Sequence, residues 1–289
     1  DEPEYVEQRS VVTNAATAIG EAHADSIPLL VISSTNSRES LGKGWGCLHE
    51  CQDQASLTEA ITAFSAVALS PQDIPDLLAR AFTVFGSQRP RPVHISIPID
   101  VLGEKADWDA DSIAIPQQNW PLVPVETAQI ATKTIVNSQR PVIIAGGGVL
   151  HASAQVQALA ERLQAPVFTS VAGKGIMPAK HPLNFGSTLC VAEGWAEVEQ
   201  ADVVIAVGTE LAETDFWRDK LPISAPIIRI DIDPRKFSDR YPTAVALCGD
   251  AAANLDALLE LLPQEPRAKL RRTGAQHMAG IEQGLAPLQ

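Results

Sequence analysis

The spacing of hydrophobic positions changes several times along the chain, and each change predicts an element. From Thr13 the period is helical, with Ala15, Ala18, Ile19 and Ala22 on one face and Asn14 as the expected N-cap. Ile27 to Ser34 is apolar almost throughout, with a proline at its second position, which predicts a buried parallel strand. Thr35 to Cys51 is polar and carries Gly42, Gly44 and Gly46, so it reads as a loop. A short helix over Leu57 to Phe64 and a short strand over Ser65 to Leu69 follow. Ser70-Pro71-Gln72-Asp73 has the form of an N-cap followed by proline at the first helical position. Ile74, Leu77, Leu78, Ala81 and Phe85 continue that helix as a stripe, which Gly86 is expected to end. Pro92 to Pro98 alternates as a strand.

Gly103 to Pro124 breaks the rhythm. It is acidic at first, then holds Pro116, Pro121 and Pro124, and reads as a linker at a domain boundary. Val125 to Asn137 is helical, with Ala128, Ile130, Ala131, Ile135 and Val136 at the apolar positions. Val142 to Ala145, then Gly146, Gly147 and Gly148, then a stripe of Val156, Leu159, Ala160 and Leu163, then the apolar run Ala165 to Val171, make strand, glycine turn, helix, strand. That order is a βαβ unit, whose crossover makes its strands parallel. Cys190 to Glu199 is weakly helical; Asp202 to Val207, Pro226 to Ile232 and Val245 to Cys248 are strands; Asn254 to Leu262 is a helix closed by Pro263. The tail from Gln264 is basic, shows no core face and is expected to leave the domain, and residues 1–10 read as a disordered or cloning-derived lead. The predicted fold class is α/β: two three-layer α/β/α domains with mainly parallel sheets, over 11–103 and 125–263, with a linker at 104–124 and a tail at 264–289.

Composition narrows the function classes. A net charge of −13 argues against a phosphate-binding surface for nucleic acid and disfavours anionic lipid. No apolar run approaches the roughly 18 residues of a membrane span, and the acidic start DEPEYVEQRS lacks the basic end and apolar core of a signal peptide. Cys47, Cys51, Cys190 and Cys248 are scattered, and no second pair joins Cys47 and Cys51 into a zinc site. The expectation is a cytoplasmic protein with reduced thiols and no metal ligands of its own. The dispersed histidines form no metal spacing and no Ser-His-Asp set. Ligands of open α/β sheets favour the loops after strand ends, which draws attention to the glycine-bearing loop from Ala172 to Asn184.

Five segments carry a resemblance: SQRPVIIAGGGV, APVFTSVAGKGIMPAKHPLNFG, ADVVIAVGTEL, IIRIDIDP and CGDAAANLDALL. In order and spacing they resemble the central domain of thiamine-diphosphate enzymes of the acetolactate synthase and benzoylformate decarboxylase group. VTNAATAIGEAHADSIPLLVISS and RPVHISIPIDV resemble the later part of that family's pyrimidine-binding domain, so the likeness runs from Val12 to about Pro263. It implies cleavage or formation of carbon–carbon bonds on 2-oxo acids, with thiamine diphosphate and magnesium as cofactors and a homo-oligomeric assembly. His49 and Glu50 stand where acetolactate synthases show Gln-Glu, in a loop that faces the family's active site. His49 there can serve as an acid or base, or the pair can simply be solvated. Ala63 stands at a position where acetolactate synthases carry lysine.

Some relatives bind FAD or another nucleotide at the central domain, and Gly146, Gly147, Gly148, Asp231 and Asp233 mark where it would lie. Tight helix–strand packing is the other explanation of the glycines, and solvation at strand ends that of the two aspartates. FAD itself is disfavoured, because Glu210 in Gly208-Thr209-Glu210 replaces the arginine of the flavin-binding form. The segment Gly208 to Trp217 looks instead like the decarboxylase branch. Its Glu210, Glu213 and Asp215 fit, weakly, the guanidinium of the oxo acid of arginine. Two family features have no counterpart. Arg9-Ser10-Val11 stands in place of the Gly-Pro-Gly turn, downstream of the glutamate that activates the thiamine ring. Gly249-Asp250 is followed by alanine rather than by the third residue of Gly-Asp-Gly. The resemblance therefore predicts a truncated or degenerate member, inactive alone. The alternative is a non-catalytic nucleotide-binding or subunit-assembly module.

Overall fold

The computed structural model describes residues 10–109, 123–267 and 272–285. The chain divides into two compact units, Asp1–Asn119 and Trp120–Gln289. Most of the predicted linker, and the tail residues 268–271 and 286–289, lie outside the described residues.

The first unit contains α1 (Ser10–Ala24), β1 (Leu30–Thr35), α2 (Gln54–Glu59), β2 (Phe64–Val67), α3 (Asp73–Ser87), β3 (Val93–Pro98) and α4 (Ile99–Leu102). Its strands form a parallel sheet in the order β1-β3-β2, so the fully buried β3 is central. Val93, Ile95 and Ile97 of β3 pack with Phe64, Ala81 and Val84 on one face. The opposite face is polar. The His94 ring lies fully buried there, with Nε2 2.7 Å from Ser33 Oγ and Nδ1 within 2.9 Å of the Thr58 and Ser65 hydroxyls. Gln54 joins the network by donating to Ser33 Oγ, Ser96 Oγ and the Ser34 carbonyl. A buried histidine is tolerated because both ring nitrogens find partners.

Several boundaries differ from those read off the sequence. α1 starts at Ser10, so Asn14 lies inside it and caps nothing. β1 is parallel but sits at a sheet edge with Ile32 58% exposed, because this sheet has no strand beyond it among the described residues. α2 begins three residues earlier than predicted because Asp53 is its N-cap, accepting from the Ser56 amide at 3.0 Å. β2 shifts with it. α3 starts at Asp73 with Gln72 as its N-cap, not at Pro71 after Ser70 as predicted; the Asp73 carboxylate accepts from the Ser70 amide at 2.8 Å and holds the turn before it. Gly86 lies within α3, which runs on to Ser87.

The second unit contains α5 (Val125–Asn137), β4 (Pro141–Ala145), α6 (Ser153–Leu163), β5 (Val167–Thr169), β6 (Asn184–Gly186), α7 (Ala192–Glu199), β7 (Val203–Val207), α8 (Glu213–Phe216), β8 (Ile227–Asp231), β9 (Thr243–Cys248), α9 (Ala251–Leu261) and α10 (Gly274–Leu285). The six strands are all parallel, in the order β6-β5-β4-β7-β8-β9. Alternation along the strands feeds two cores. Ile143, Val203, Ile205, Ile228 and Leu247 face α5, α6 and α9, while Val142, Ile144, Phe168, Val204 and Ala206 face Val198 of α7 and Phe216 of α8. This is the three-layer α/β/α arrangement.

The helix stripe Val156, Leu159, Ala160 and Leu163 is buried as its spacing predicts, whereas Ile130 of α5 points to solvent. The run Ala165 to Val171 is strand only over Val167–Thr169, and Val171 is exposed. β6, α8 and the 3-10 turns Gly147–Ala152 and Pro234–Ser238 were not predicted. α9 starts at Ala251 because the Asp250 carboxylate accepts from the Ala253 amide at 2.9 Å. The tail does not leave the unit. Arg267 donates to the Ser138 and Ile135 carbonyls at the end of α5, and α10 packs on β6 and α7.

Leu159→Ala removes a fully buried side chain and should lower stability by about 2–5 kcal/mol. Ile130→Ala, at a 57% exposed position of α5, should change it by no more than about 0.5 kcal/mol. Urea unfolding of the two variants checks both.

Candidate functional site

Two places gather the residues singled out from the sequence, one in each unit. In the first unit, the glycine loop before α2 is organised by Glu50. Its carboxylate accepts from the amides of Gly44 and Gly46 at 2.7 Å, Cys47 at 3.0 Å and Trp45 at 3.3 Å. Partial desolvation would raise its pKa, but the four amides outweigh this and hold the carboxyl below the ordinary carboxylate range. Glu50 is thus committed to the loop's own backbone. His49, next to it, is exposed and held at φ 54°, in the left-handed region. Its ring makes no hydrogen bond or ion pair with an acid or hydroxyl among the described residues.

In the second unit, the strand order reverses beside β4, which places the switch point between the C-terminal ends of β4 and β7. Gly146, Gly147 and Gly148 leave β4 there, and Gly208 leaves β7. The Gly146 amide donates to the Val207 carbonyl at 2.9 Å, and the Gly148 amide to the Gly208 carbonyl at 3.1 Å. A Cβ on Gly146 would overlap the Gly208 carbonyl, and one on Gly148 would lie 2.9 Å from Gly208 Cα. Backbone therefore packs on backbone at the place where a nucleotide's phosphates would approach a glycine turn. A Cβ on Gly147 would meet only Ala172, its methyl at 3.1 Å and its carbonyl oxygen at 3.6 Å.

The loops around that point are tied together by charge. The Asp215 carboxylate accepts from the Val171 amide at 2.9 Å and so joins the loops after β5 and β7. Burial nevertheless pushes the Asp215 carboxyl up, the hydrogen bonds from Val171 and Ala212 only partly offsetting it. Glu210 is paired with Lys236 at 3.1 Å. Asp233 is buried and receives Arg235 through both Nε and Nη2 at 2.9 Å, while its amide donates to Asp231. The hydrogen bond to Asp233 raises the Arg235 pKa. Glu213 is exposed at the start of α8.

Arg229 was missed in reading the sequence. Fully buried on β8, it donates to the Thr209 and Lys236 carbonyls and to Asp239, fastening the loop after β7 to the turn after β8. One arginine inside the apolar run PIIRIDI was the signal. A cavity of about 370 Å³ opens beside β5 and β6, lined by the loop from Lys174 to Ala179, with Thr169 and Ser187 across from it. Asn184 pins that loop by donating to the Met177 and Pro178 carbonyls.

Two outcomes follow from these contacts. Gly146→Ala should destabilise the second unit by about 1–3 kcal/mol, and Gly147→Ala by less, in thermal or urea unfolding. Loop order set by Glu50 should hold above its ordinary pKa of 4.5 and be lost as pH falls through the depressed folded value. Hydrogen exchange of the Gly44, Gly46 and Cys47 amides, faster in Glu50→Ala at neutral pH, reads it.

Residues 128–258 match the family described as thiamine pyrophosphate enzyme, central domain. The chain is 57% identical over 282 residues to the "Probable 2-ketoarginine decarboxylase AruI" of Pseudomonas aeruginosa, covering 96% of this chain and 50% of that protein. It is 32% identical over 271 residues to the acetolactate synthase large subunit of Buchnera aphidicola subsp. Acyrthosiphon pisum, covering 89% and 46%. It is likewise 32% identical over 264 residues to the acetolactate synthase isozyme 3 large subunit of Escherichia coli, covering 88% and 45%. The chain spans about half the length of these curated relatives. It belongs to the thiamine pyrophosphate enzyme family, with residues 128–258 as that family's central domain.

Proposed function

We propose that these residues form the scaffold half of a thiamine-diphosphate-dependent 2-oxo acid decarboxylase whose substrate carries a guanidinium group. The supporting observation is 57% identity, over 96% of this chain, to a protein named as a probable 2-ketoarginine decarboxylase. The acidic residues after β7 add little to it: Glu210 is paired with Lys236 and Asp215 accepts from the Val171 amide, which leaves Glu213 as the exposed acid of the three.

In this reading Gly249-Asp250 does not serve as a magnesium–diphosphate clamp. The Asp250 carboxylate of Gly249-Asp250 caps α9 and meets His151 at 2.8 Å. Desolvation opposes its ionisation, yet the Ala253 amide and His151 hold its pKa below the ordinary value. No cluster of three or more His, Cys, Asp or Glu among the described residues is arranged for a metal. In this reading the 289 residues alone neither bind nor turn over the cofactor, and no catalytic step is assigned to them. His49 and Glu50 contribute a shaped loop, and Gly146 to Gly148 with Asp231 and Asp233 contribute packing. FAD binding has less support, since Glu210 stands at the flavin-binding arginine's place and Gly146 and Gly148 lie against Gly208. Homo-oligomeric assembly in the cytoplasm belongs to the same proposal; among the described residues no helix is long and apolar enough to cross a membrane.

Titrating thiamine diphosphate and magnesium into the 289-residue chain should give no micromolar binding by calorimetry; micromolar binding overturns the scaffold reading. The same residues within a chain of the relatives' length should release carbon dioxide from 5-guanidino-2-oxopentanoate faster than from pyruvate. A preference for pyruvate overturns the substrate assignment.

A further inference from the structure

α10 lies along the edge of the six-stranded sheet. β6 is the last strand on that side, and α10 packs on it and on α7. The Gly274 amide donates to the Pro182 carbonyl at 2.6 Å. A side chain at Gly274 would overlap the Asn184 carbonyl, so the helix starts against the β6 backbone. One turn on, the His277 ring is fully buried. It stacks on Phe185 with centroids 4.5 Å apart and meets Phe168 edge-on at 5.8 Å.

The hydrogen bonds favour a proton on Nε2. His277 Nε2 is 2.8 Å from Thr188 Oγ1. The Thr188 hydroxyl lies 2.9 Å from the Phe185 carbonyl, which can only accept; with its proton given there, the hydroxyl accepts from Nε2–H. Nδ1 is then a bare lone pair, and it has no hydrogen-bond partner. A proton added there would be a buried N–H⁺ with no acceptor, on a ring packed against Phe168 and Phe185, an arrangement the burial strongly disfavours.

The charged groups around the ring do not change this conclusion. From the turn before α10, Arg272 donates to the Gln276 and His277 carbonyls and opposes a second positive charge. From α7, Glu193 favours protonation, and Glu197 is engaged with Arg272 at 3.5 Å. β5 and β6 present Phe168 and Phe185, and the segment after β6 presents Thr188.

We propose that α10 is an acid-released latch on the sheet edge, held while His277 is neutral and freed when its ring takes a proton at Nδ1. Release uncovers Phe185 and the backbone of the edge strand β6, a surface that favours pairing with another chain.

Desolvation, followed by Arg272, lowers the docked ring's pKa from 6.5 to about 4. The undocked state therefore binds more protons, so docking is fully favoured above 6.5 and weakens as pH falls towards 4. Protection of the α10 amides, corrected for intrinsic exchange, should fall about tenfold per pH unit across that window, about 300-fold in all. His277→Phe fills the slot but cannot titrate, so its α10 protection should lose that slope. Thr188→Val strands Nε2–H, so it should reduce α10 protection at neutral pH while leaving the slope. Nitrogen shifts of the imidazole in the unmodified chain should report the Nε2–H tautomer at pH 7. A flat α10 protection profile in the unmodified chain overturns the latch, as does an Nδ1–H tautomer or a His277→Phe variant that keeps the slope.

Discussion

The second unit depends on one contact: the glycines leaving β4 lie directly on the glycine leaving β7. Parallel neighbours in a doubly wound sheet send their crossovers to opposite faces at the switch point, so two chain turns diverge there. In this chain the turns close on each other through amide-to-carbonyl bonds from Gly146 and Gly148, with no room for a Cβ. The contact sets how β4 and β7 end level, and with them the loops that carry Glu210, Asp215 and Val171. The same contact explains why a glycine triplet that resembles a phosphate-binding turn need not bind phosphate. At Gly146 and Gly148 that permissiveness serves the packing of the fold.

Charge at that end of the sheet is likewise internal. Arg229, Lys236 and Arg235 meet Asp239, Glu210 and Asp233, in each case within a short reach of β7 or β8. Buried Arg229 adds two backbone carbonyls to its single carboxylate, which is how a full charge is accommodated inside a sheet layer. A chain of net charge −13 can still pair many of its acids locally. Counting acidic residues in a loop, as the sequence invites, overstates what remains for a ligand.

The strands and major helices were legible because they rest on period: β4, β7, β8 and α5 fall within a residue of where apolar spacing puts them. The short elements were not, because their determinants are single side chains acting over three residues. Asp53 and Asp250 reset the starts of α2 and α9 by capping, and β6 is three residues of ordinary composition made a strand only by β5 beside it. The tail misled for a related reason. Its helix has few large apolar residues, and what holds it is a glycine against a strand, a buried histidine and Arg267 on a helix end. Site partners were illegible for a different reason: Glu210 and Lys236 are 26 residues apart, and Val171 and Asp215 are 44 apart.

The two buried histidines show how far residue type alone leaves function undecided. His94 and His277 are both fully buried, and burial lowers both pKa values. His94 sits on a central strand with hydroxyls at both nitrogens, so its ring is a cross-link among β1, β2, β3 and α2. Opening that network means separating the strands themselves. His277 sits on a peripheral helix with one nitrogen satisfied, and opening it means lifting only α10. Local openings cost less than global ones, so the same protonation chemistry is confined to the unfolding transition at His94 but has a separate, lower-energy outlet at His277.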